Sequence, residues 1–109
     1  MTRLIVTEQN NNAEFRLHVG DELIVRLEAI PGTGYSWIVL GDNDEVLSQI
    51  GESIFEKSDE QMVGGVEQQI FSFRVKSTGV RLLELEYRRS WEKHGEAIKS
   101  LSIRVITEE

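Results

Sequence analysis

Apolar and polar residues alternate along many short stretches of this chain, which is the period of a strand with one buried face and not of a helix. The alternation is clearest in four stretches, with apolar positions Leu23, Val25 and Leu27; Phe71, Phe73 and Val75; Leu83, Leu85 and Tyr87; and Leu101, Ile103 and Val105. Residues 3–6, 14–19, 35–39 and 53–57 predict four shorter strands. Residues 45–49 fit a short helical turn as well as a strand.

Glycine, asparagine, aspartate and proline separate these stretches, and each supports tight turns. Short strands in this number, with no helical pattern between them, usually pack as two antiparallel sheets face to face. We therefore predict an immunoglobulin-like antiparallel β-sandwich of about seven or eight strands. The length of 109 residues suits one compact domain, so we expect a single domain over residues 1–109.

Composition and charge narrow the possible partners. The formal net charge of −7 repels phosphate backbones, and no Lys/Arg cluster lies among aromatic residues, so we expect no nucleic acid partner. No run of about 18 apolar residues is present, so we expect no membrane partner. Residues 1–12 lack the apolar run of a signal peptide. The sequence does not decide the compartment: the protein is either cytoplasmic or secreted with its leader removed.

The sequence offers little of the chemistry that enzymes use. It contains no cysteine, so it has no thiol nucleophile, disulfide or thiolate metal ligand. His18 and His94 lack the spacing of a zinc site. The acids Asp42, Asp44 and Glu45 fit a solvated turn better than a catalytic pair. We therefore expect no enzymatic activity, no metal and no cofactor.

Three segments between the predicted strands stand out, and a sandwich gathers alternate loops at one end. They read Pro31-Gly32-Thr33-Gly34-Tyr35-Ser36-Trp37, Met62-Val63-Gly64-Gly65 and Tyr87-Arg88-Arg89-Ser90-Trp91-Glu92, and we call them loops 1, 2 and 3. Each alone has an ordinary explanation. Loop 1 fits a turn before a core tryptophan, loop 2 a flexible hairpin, and loop 3 the surface packing of an arginine beside a tryptophan.

In this order and spacing, the three segments closely resemble the loops of the chagasin-like inhibitors of papain-like cysteine peptidases. That family has an Asn-Pro-Thr-Thr-Gly-Tyr loop, a Gly-x-Gly-Gly loop and an Arg-Pro-Trp loop. The resemblance covers nearly the whole chain, and the matching residues are Pro31, Thr33, Gly34, Tyr35, Gly64, Gly65, Arg89 and Trp91. The sequence departs from the family pattern at four positions, where Asn, Thr, Gly and Pro are replaced by Ile30, Gly32, Met62 and Ser90.

The resemblance implies a reversible, tight-binding inhibitor that is monomeric when free and fills the active-site cleft of a papain-like cysteine peptidase, with loop 1 central. The implied peptidase-binding residues are Pro31, Gly32, Thr33, Gly34, Tyr35, Gly64, Gly65, Arg89 and Trp91. Gly34 would then permit close approach to the catalytic thiolate, and Trp91 would supply a rigid apolar contact. From the residues alone, we expect Tyr35 and Trp37 to be mainly structural, because they open a strand whose alternate residues face the core, and the Tyr35 hydroxyl is placed to brace loop 1.

The alternative is an immunoglobulin-like interaction or carbohydrate-binding module with another partner, because Tyr87 and Trp91 also suit such a surface. Loop 1 favours the inhibitor, since a sugar platform needs exposed aromatic rings whereas residues 31–34 are small. A hydrolase is disfavoured because no Ser/His or Cys/His pairing is recognisable.

Overall fold

The computed structural model describes residues 2–41, 45–57, 66–89 and 97–109, and these residues form nine strands. The strands are β1 (Arg3–Val6), β2 (Glu14–His18), β3 (Glu22–Ala29), β4 (Tyr35–Val39), β5 (Leu47–Gln49), β6 (Ile54–Lys57), β7 (Glu67–Val75), β8 (Gly79–Arg89) and β9 (Lys99–Glu108). Two short 3₁₀ helices, Glu8–Asn10 and Pro31–Thr33, lie between strands. The predicted strands are all present, and β5 shows that residues 47–49 form a strand and not a helical turn.

The nine strands form two sheets that enclose one core. The first sheet has the order β1-β3-β7-β5, with β6 also paired to β7, and the second has the order β2-β9-β8-β4. The inward positions predicted from the alternation are buried, and the core includes Leu23, Val25, Leu27, Trp37, Phe71, Phe73, Leu83, Leu85, Tyr87, Leu101, Ile103 and Val105. The predicted immunoglobulin-like sandwich is therefore confirmed as a fold class.

Two details of that prediction are corrected. The described strands number nine and not seven or eight, and two of the strand pairs are parallel, β1 with β3 and β2 with β9. Parallel neighbours need a long crossover between them. Here β2, in the opposite sheet, supplies the return path between β1 and β3. The alternation of apolar and polar residues is the same in parallel and antiparallel strands, so the sequence pattern did not distinguish the two kinds of pair.

The strand registers place the connections at two ends of the sandwich. We call the end that the chain reaches after β3, β6 and β8 the loop end, because loops 1, 2 and 3 leave from it. The opposite end, called here the far end, includes the turn between β2 and β3 and the start of β1. There Asp21, which is 5% exposed, accepts hydrogen bonds from the backbone N–H groups of Thr2 (2.9 Å) and His18 (2.8 Å).

Candidate functional site

The strand ends that border the three loops lie together at the loop end. In the first sheet Glu67, the first residue of β7, pairs with Ala29 at the end of β3 and with Lys57 at the end of β6. The strand ends that border loops 1 and 2 are therefore neighbours. In the second sheet Tyr35 of loop 1 pairs with Arg89 of loop 3. The described part of the chain thus gathers the loop borders at one end. Gly64, Gly65, Met62, Ser90 and Trp91 lie outside the described residues.

Loop 1 begins as a single 3₁₀ turn over Pro31–Thr33. The carbonyl of Ile30 accepts hydrogen bonds from the backbone N–H of Thr33 at 3.1 Å and from its hydroxyl at 2.7 Å. The same hydroxyl lies 3.3 Å from the backbone nitrogen of Tyr35, from which it accepts a hydrogen bond. Thr33 therefore closes the turn with its own side chain, as short hydroxyl residues commonly do in turns.

Glycine is required at one of the two glycine positions of loop 1. Gly34 has a φ of +84°, in the left-handed region that strains residues with a Cβ atom. A Cβ atom added at Gly32 would meet no atom within 4 Å, and Gly32 is exposed. The chain thus reverses at Gly34, whereas Gly32 leaves a smooth surface at the tip of the loop.

A group of three aromatic rings in contact, of which Tyr35 and Tyr87 are stacked, supports loop 1 from below. The ring centroid of Tyr87 lies 5.5 Å from that of Tyr35 and 5.2 Å from that of Trp37. Trp37 is 3% exposed, and its indole N–H donates to the carbonyl of Glu28 at 2.9 Å. The interpretation of Trp37 as structural is therefore confirmed.

The hydroxyl that braces loop 1 belongs to Tyr87 and not to Tyr35. Tyr87 is 5% exposed, and its hydroxyl accepts a hydrogen bond from the backbone N–H of Ile30 at 2.9 Å. Within the described part of the chain, no hydrogen bond involves the Tyr35 hydroxyl. The sequence pattern did not predict this role, because it places Tyr87 at an inward position at the start of loop 3 and does not show that the residue lies next to Ile30. A buried Tyr87 also offers no exposed ring to a sugar, which removes one support for the carbohydrate-binding alternative.

Arg89 of loop 3 and Lys99 at the start of β9 each lie near one of these rings. The guanidinium carbon of Arg89 lies 4.6 Å from the ring centroid of Tyr35, and the amine of Lys99 lies 5.7 Å from that of Tyr87. Both distances are within the range of cation–π attraction. Arg89 is half-buried, so its side chain belongs partly to the support of loop 1.

Gln69 is a further residue that the sequence analysis missed. Its side-chain carbonyl accepts from the backbone N–H of Trp37 at 2.7 Å, and its amide nitrogen donates to the carbonyl of Trp37 at 3.1 Å and to the hydroxyl of Ser53 at 3.0 Å. The side chain therefore satisfies polar backbone groups on the free edge of β4 and links the two sheets. Its inward position, in step with Phe71 and Phe73, was the available signal.

The 3₁₀ helix Glu8–Asn10 also reaches the loop end. One carboxylate oxygen of Glu8 accepts a hydrogen bond from the backbone N–H of Glu28 at 2.9 Å, and the other lies 3.8 Å from the amine of Lys99. Glu8 thus occupies the edge of β3 beyond the end of β1. Among the residues that the structure describes, no three His, Cys, Asp or Glu side chains are grouped as metal ligands, and no helix has the length and apolarity of a membrane span.

Comparison with known proteins agrees with this architecture. The family profile described as Chagasin family peptidase inhibitor I42 matches residues 16–105. Amoebiasin-1 of Entamoeba histolytica is 31% identical over 86 residues, which are 79% of this chain and 82% of that protein. The crystal structure of a cysteine protease inhibitor from the same organism is 24% identical and superimposes with a TM-score of 0.88, covering 99% of this chain and 97% of that one. PbICP-C, solved in complex with falcipain-2, has the same fold, with a TM-score of 0.66 at 21% identity over 99% of this chain and 100% of that one.

Proposed function

Since the chain belongs to the chagasin family of peptidase inhibitors, and is therefore an inhibitor and not an enzyme, we propose that it reversibly inhibits papain-like cysteine peptidases. The names of similar proteins support this target. One is called a cysteine protease inhibitor, and another was solved with falcipain-2, a papain-like cysteine peptidase. In this proposal the loop end enters the active-site cleft, with loop 1 at the catalytic centre and loops 2 and 3 on either side.

The observation that carries the proposal is the closed, small turn of loop 1. Attack by a catalytic thiolate needs a carbonyl group held in a near-attack geometry. Both hydrogen bonds from Thr33 go to the carbonyl oxygen of Ile30, so this oxygen is not free to accept the donors with which a peptidase stabilises an oxyanion. A turn of this kind can lie close to the thiolate without being bound as an extended substrate. No covalent bond to the inhibitor is then needed.

The flanking loops have complementary roles in this proposal. Trp91 supplies a large, rigid apolar contact, and Arg89 supplies the exposed part of a planar donor group, the residue types that dominate interface energetics. Gly64 and Gly65 let backbone groups of loop 2 pair with the edge of the cleft. Two of the departures from the family pattern, Ile30 and Gly32, lie at the centre of the proposed surface. Ile30 makes this surface more apolar, because its side chain is 39% exposed beside the turn.

Titration of papain and of a cathepsin L-like enzyme with this protein tests the proposal. We expect competitive inhibition that is relieved by dilution, whereas a serine peptidase and a metallopeptidase in parallel assays keep full activity. Full activity of both cysteine peptidases at saturating inhibitor would contradict the proposed target. Inhibition that persists after dilution and extensive washing would contradict the non-covalent mechanism.

A further inference from the structure

Tyr87 closes the base of two loops at once. Its side-chain hydroxyl accepts a hydrogen bond from the N–H of Ile30 at 2.9 Å, at the start of loop 1. Its backbone carbonyl accepts one from the N–H of Ile98 at 3.0 Å, where the chain returns from loop 3 to β9. One residue therefore links the start of loop 1 to the segment that follows loop 3.

The side chain of Tyr87 is far more buried than Ile30, to which its hydroxyl is hydrogen-bonded. It lies between the Tyr35 and Trp37 rings on one side of β8 and under the amine of Lys99, and it is almost fully buried. Ile30, by contrast, is exposed and lies outside β3. The rigid partner in the hydrogen bond is therefore the hydroxyl, and the partner whose position it sets is the backbone of loop 1.

We propose that Tyr87 is a positioning residue for inhibition, which holds Ile30 at the start of loop 1 in register with Ile98 before β9, so that loop 1 is ordered before it meets the peptidase. The inference rests on the proposed function. Its physical basis is preorganisation, because a loop that is ordered before binding loses less conformational entropy when it docks. Tyr87 acts through Ile30 and the loops and makes no contact with the peptidase itself.

Tyr87→Phe is the informative substitution because it removes the hydroxyl and keeps the stacked ring. The N–H of Ile30 lies beside an exposed side chain, where water can replace the lost acceptor, so the fold should persist. We expect the inhibition constant for papain to rise about three- to tenfold, which corresponds to one lost hydrogen bond. Hydrogen exchange of the Ile30 and Thr33 amides in the free variant should become faster, because loop 1 opens locally.

Thr107→Val is the matched control. It also removes one buried hydroxyl, which donates to the carbonyls of Ser77 (2.7 Å) and Gly79 (3.2 Å) at the far end. This variant should lose thermal stability while its inhibition constant and the exchange of the Ile30 and Thr33 amides stay as in the parent. A general loss of stability would change both variants alike.

The outcomes separate the positioning role from the proposed function. If Tyr87→Phe inhibits as well as the parent, or if the Ile30 and Thr33 amides exchange at the parental rate, the positioning role is refuted while inhibition by the parent stands. A rise in the inhibition constant of Thr107→Val equal to that of Tyr87→Phe refutes it as well. If the parent fails to inhibit any papain-like peptidase, the proposed target is refuted, and the exchange experiment still decides whether Tyr87 orders loop 1.

Discussion

At the loop end, neutral groups hold the start of loop 1 and the edge of β4, whereas at the far end carboxylates hold the turn between β2 and β3 and the start of β1. The Tyr87 hydroxyl and ring, the Gln69 amide and the Thr33 hydroxyl fix the start of loop 1 and the edge of β4. At the far end, Asp21 fixes the turn between β2 and β3 together with the start of β1, and Glu22 pairs with Arg3 and Arg74.

The difference affects how each end responds to acid. Hydrogen bonds from the backbone N–H groups of His18 and Thr2 lower the pKa of Asp21 below its usual range. The side chain of Arg74, with help from Arg3, lowers the pKa of Glu22. A lowered carboxylate pKa contributes stability above the unfolded pKa of about 4, and this stability is lost as the pH falls through the folded pKa. Acid should therefore loosen the far end, whereas the hydrogen bonds of Tyr87, Gln69 and Thr33 at the start of loop 1 and the edge of β4 involve no carboxylate.

The largest loss of inhibition is expected when a β-branched side chain replaces Gly34, the residue of loop 1 with a left-handed φ. Gly34→Val should raise the inhibition constant by more than about a hundredfold, because strain of ~1–3 kcal/mol adds to the loss of close approach. Inhibition assays and thermal unfolding should be measured together. For stability the matched control is Gly32→Ala, which has open space for its methyl group. A fully potent and stable Gly34→Val would show that loop 1 does not lie at the catalytic centre.

The next largest effect is expected in loop 3. Trp91→Ala should weaken inhibition about thirtyfold, since a central aromatic anchor contributes ~2 kcal/mol or more. Arg88→Ala should change the inhibition constant by less than about fivefold, because the Arg88 side chain is engaged within the inhibitor itself by Glu86 at 3.3 Å. Both variants should keep the fold by circular dichroism. Equal inhibition constants for the two would remove Trp91 from the anchor role.

Ser90→Pro should strengthen inhibition, by a smaller factor. Proline restricts the unbound loop, so the ordering cost before Trp91 docks is reduced by ~0.4–1 kcal/mol, which is about a two- to fivefold lower inhibition constant. The gain should appear without new contacts when the parent and variant complexes are superimposed. An unchanged or higher constant in an equally stable variant would mean that Ser90 orders the loop in another way.

Asp21→Asn should leave inhibition unchanged and affect the far end alone. Both carboxylate oxygens of Asp21 accept backbone N–H groups, so the asparagine amide must turn its own N–H₂ toward one of them. The variant should therefore unfold at lower denaturant concentration than the parent at pH 7. The gap should begin to close as the pH falls below the unfolded pKa of about 4, and should close fully only once the pH passes the lowered pKa of the folded Asp21 carboxyl. A gap that is the same at pH 7 and pH 3 would show that the charge of Asp21 does not stabilise the far end.

Much of the fold follows from local alternation, and the failures have physical reasons. Leu23, Val25 and Leu27 repeat with the period of a strand over enough residues to be unambiguous. β5 is only three residues long, which is too short for a period of two to be told from a helical turn. The parallel pairing of β1 with β3 depends on where the chain travels between them, and no local pattern records that path.

At the candidate site, the sequence indicated which residues belong to the loops, and only the tertiary structure showed which side chains contact them. Loop 1 was located from its proline and glycines, because these residues act on their own backbone. The position of Tyr35 next to the loop in the sequence predicts a bracing hydroxyl at that residue. In the structure the hydroxyl of Tyr87 has this role, although it lies 57 residues away from Ile30 along the chain.

The sequence by itself therefore determined the fold class, the inward faces of the strands and the position of loop 1, since each depends on the residue types within a few positions. Only the tertiary structure decided which side chains support that loop. Gln69 reaches Trp37 across the two sheets, and Tyr87 reaches Ile30 from another strand. These contacts depend on strand order and register, which bring residues distant in the chain within hydrogen-bonding distance.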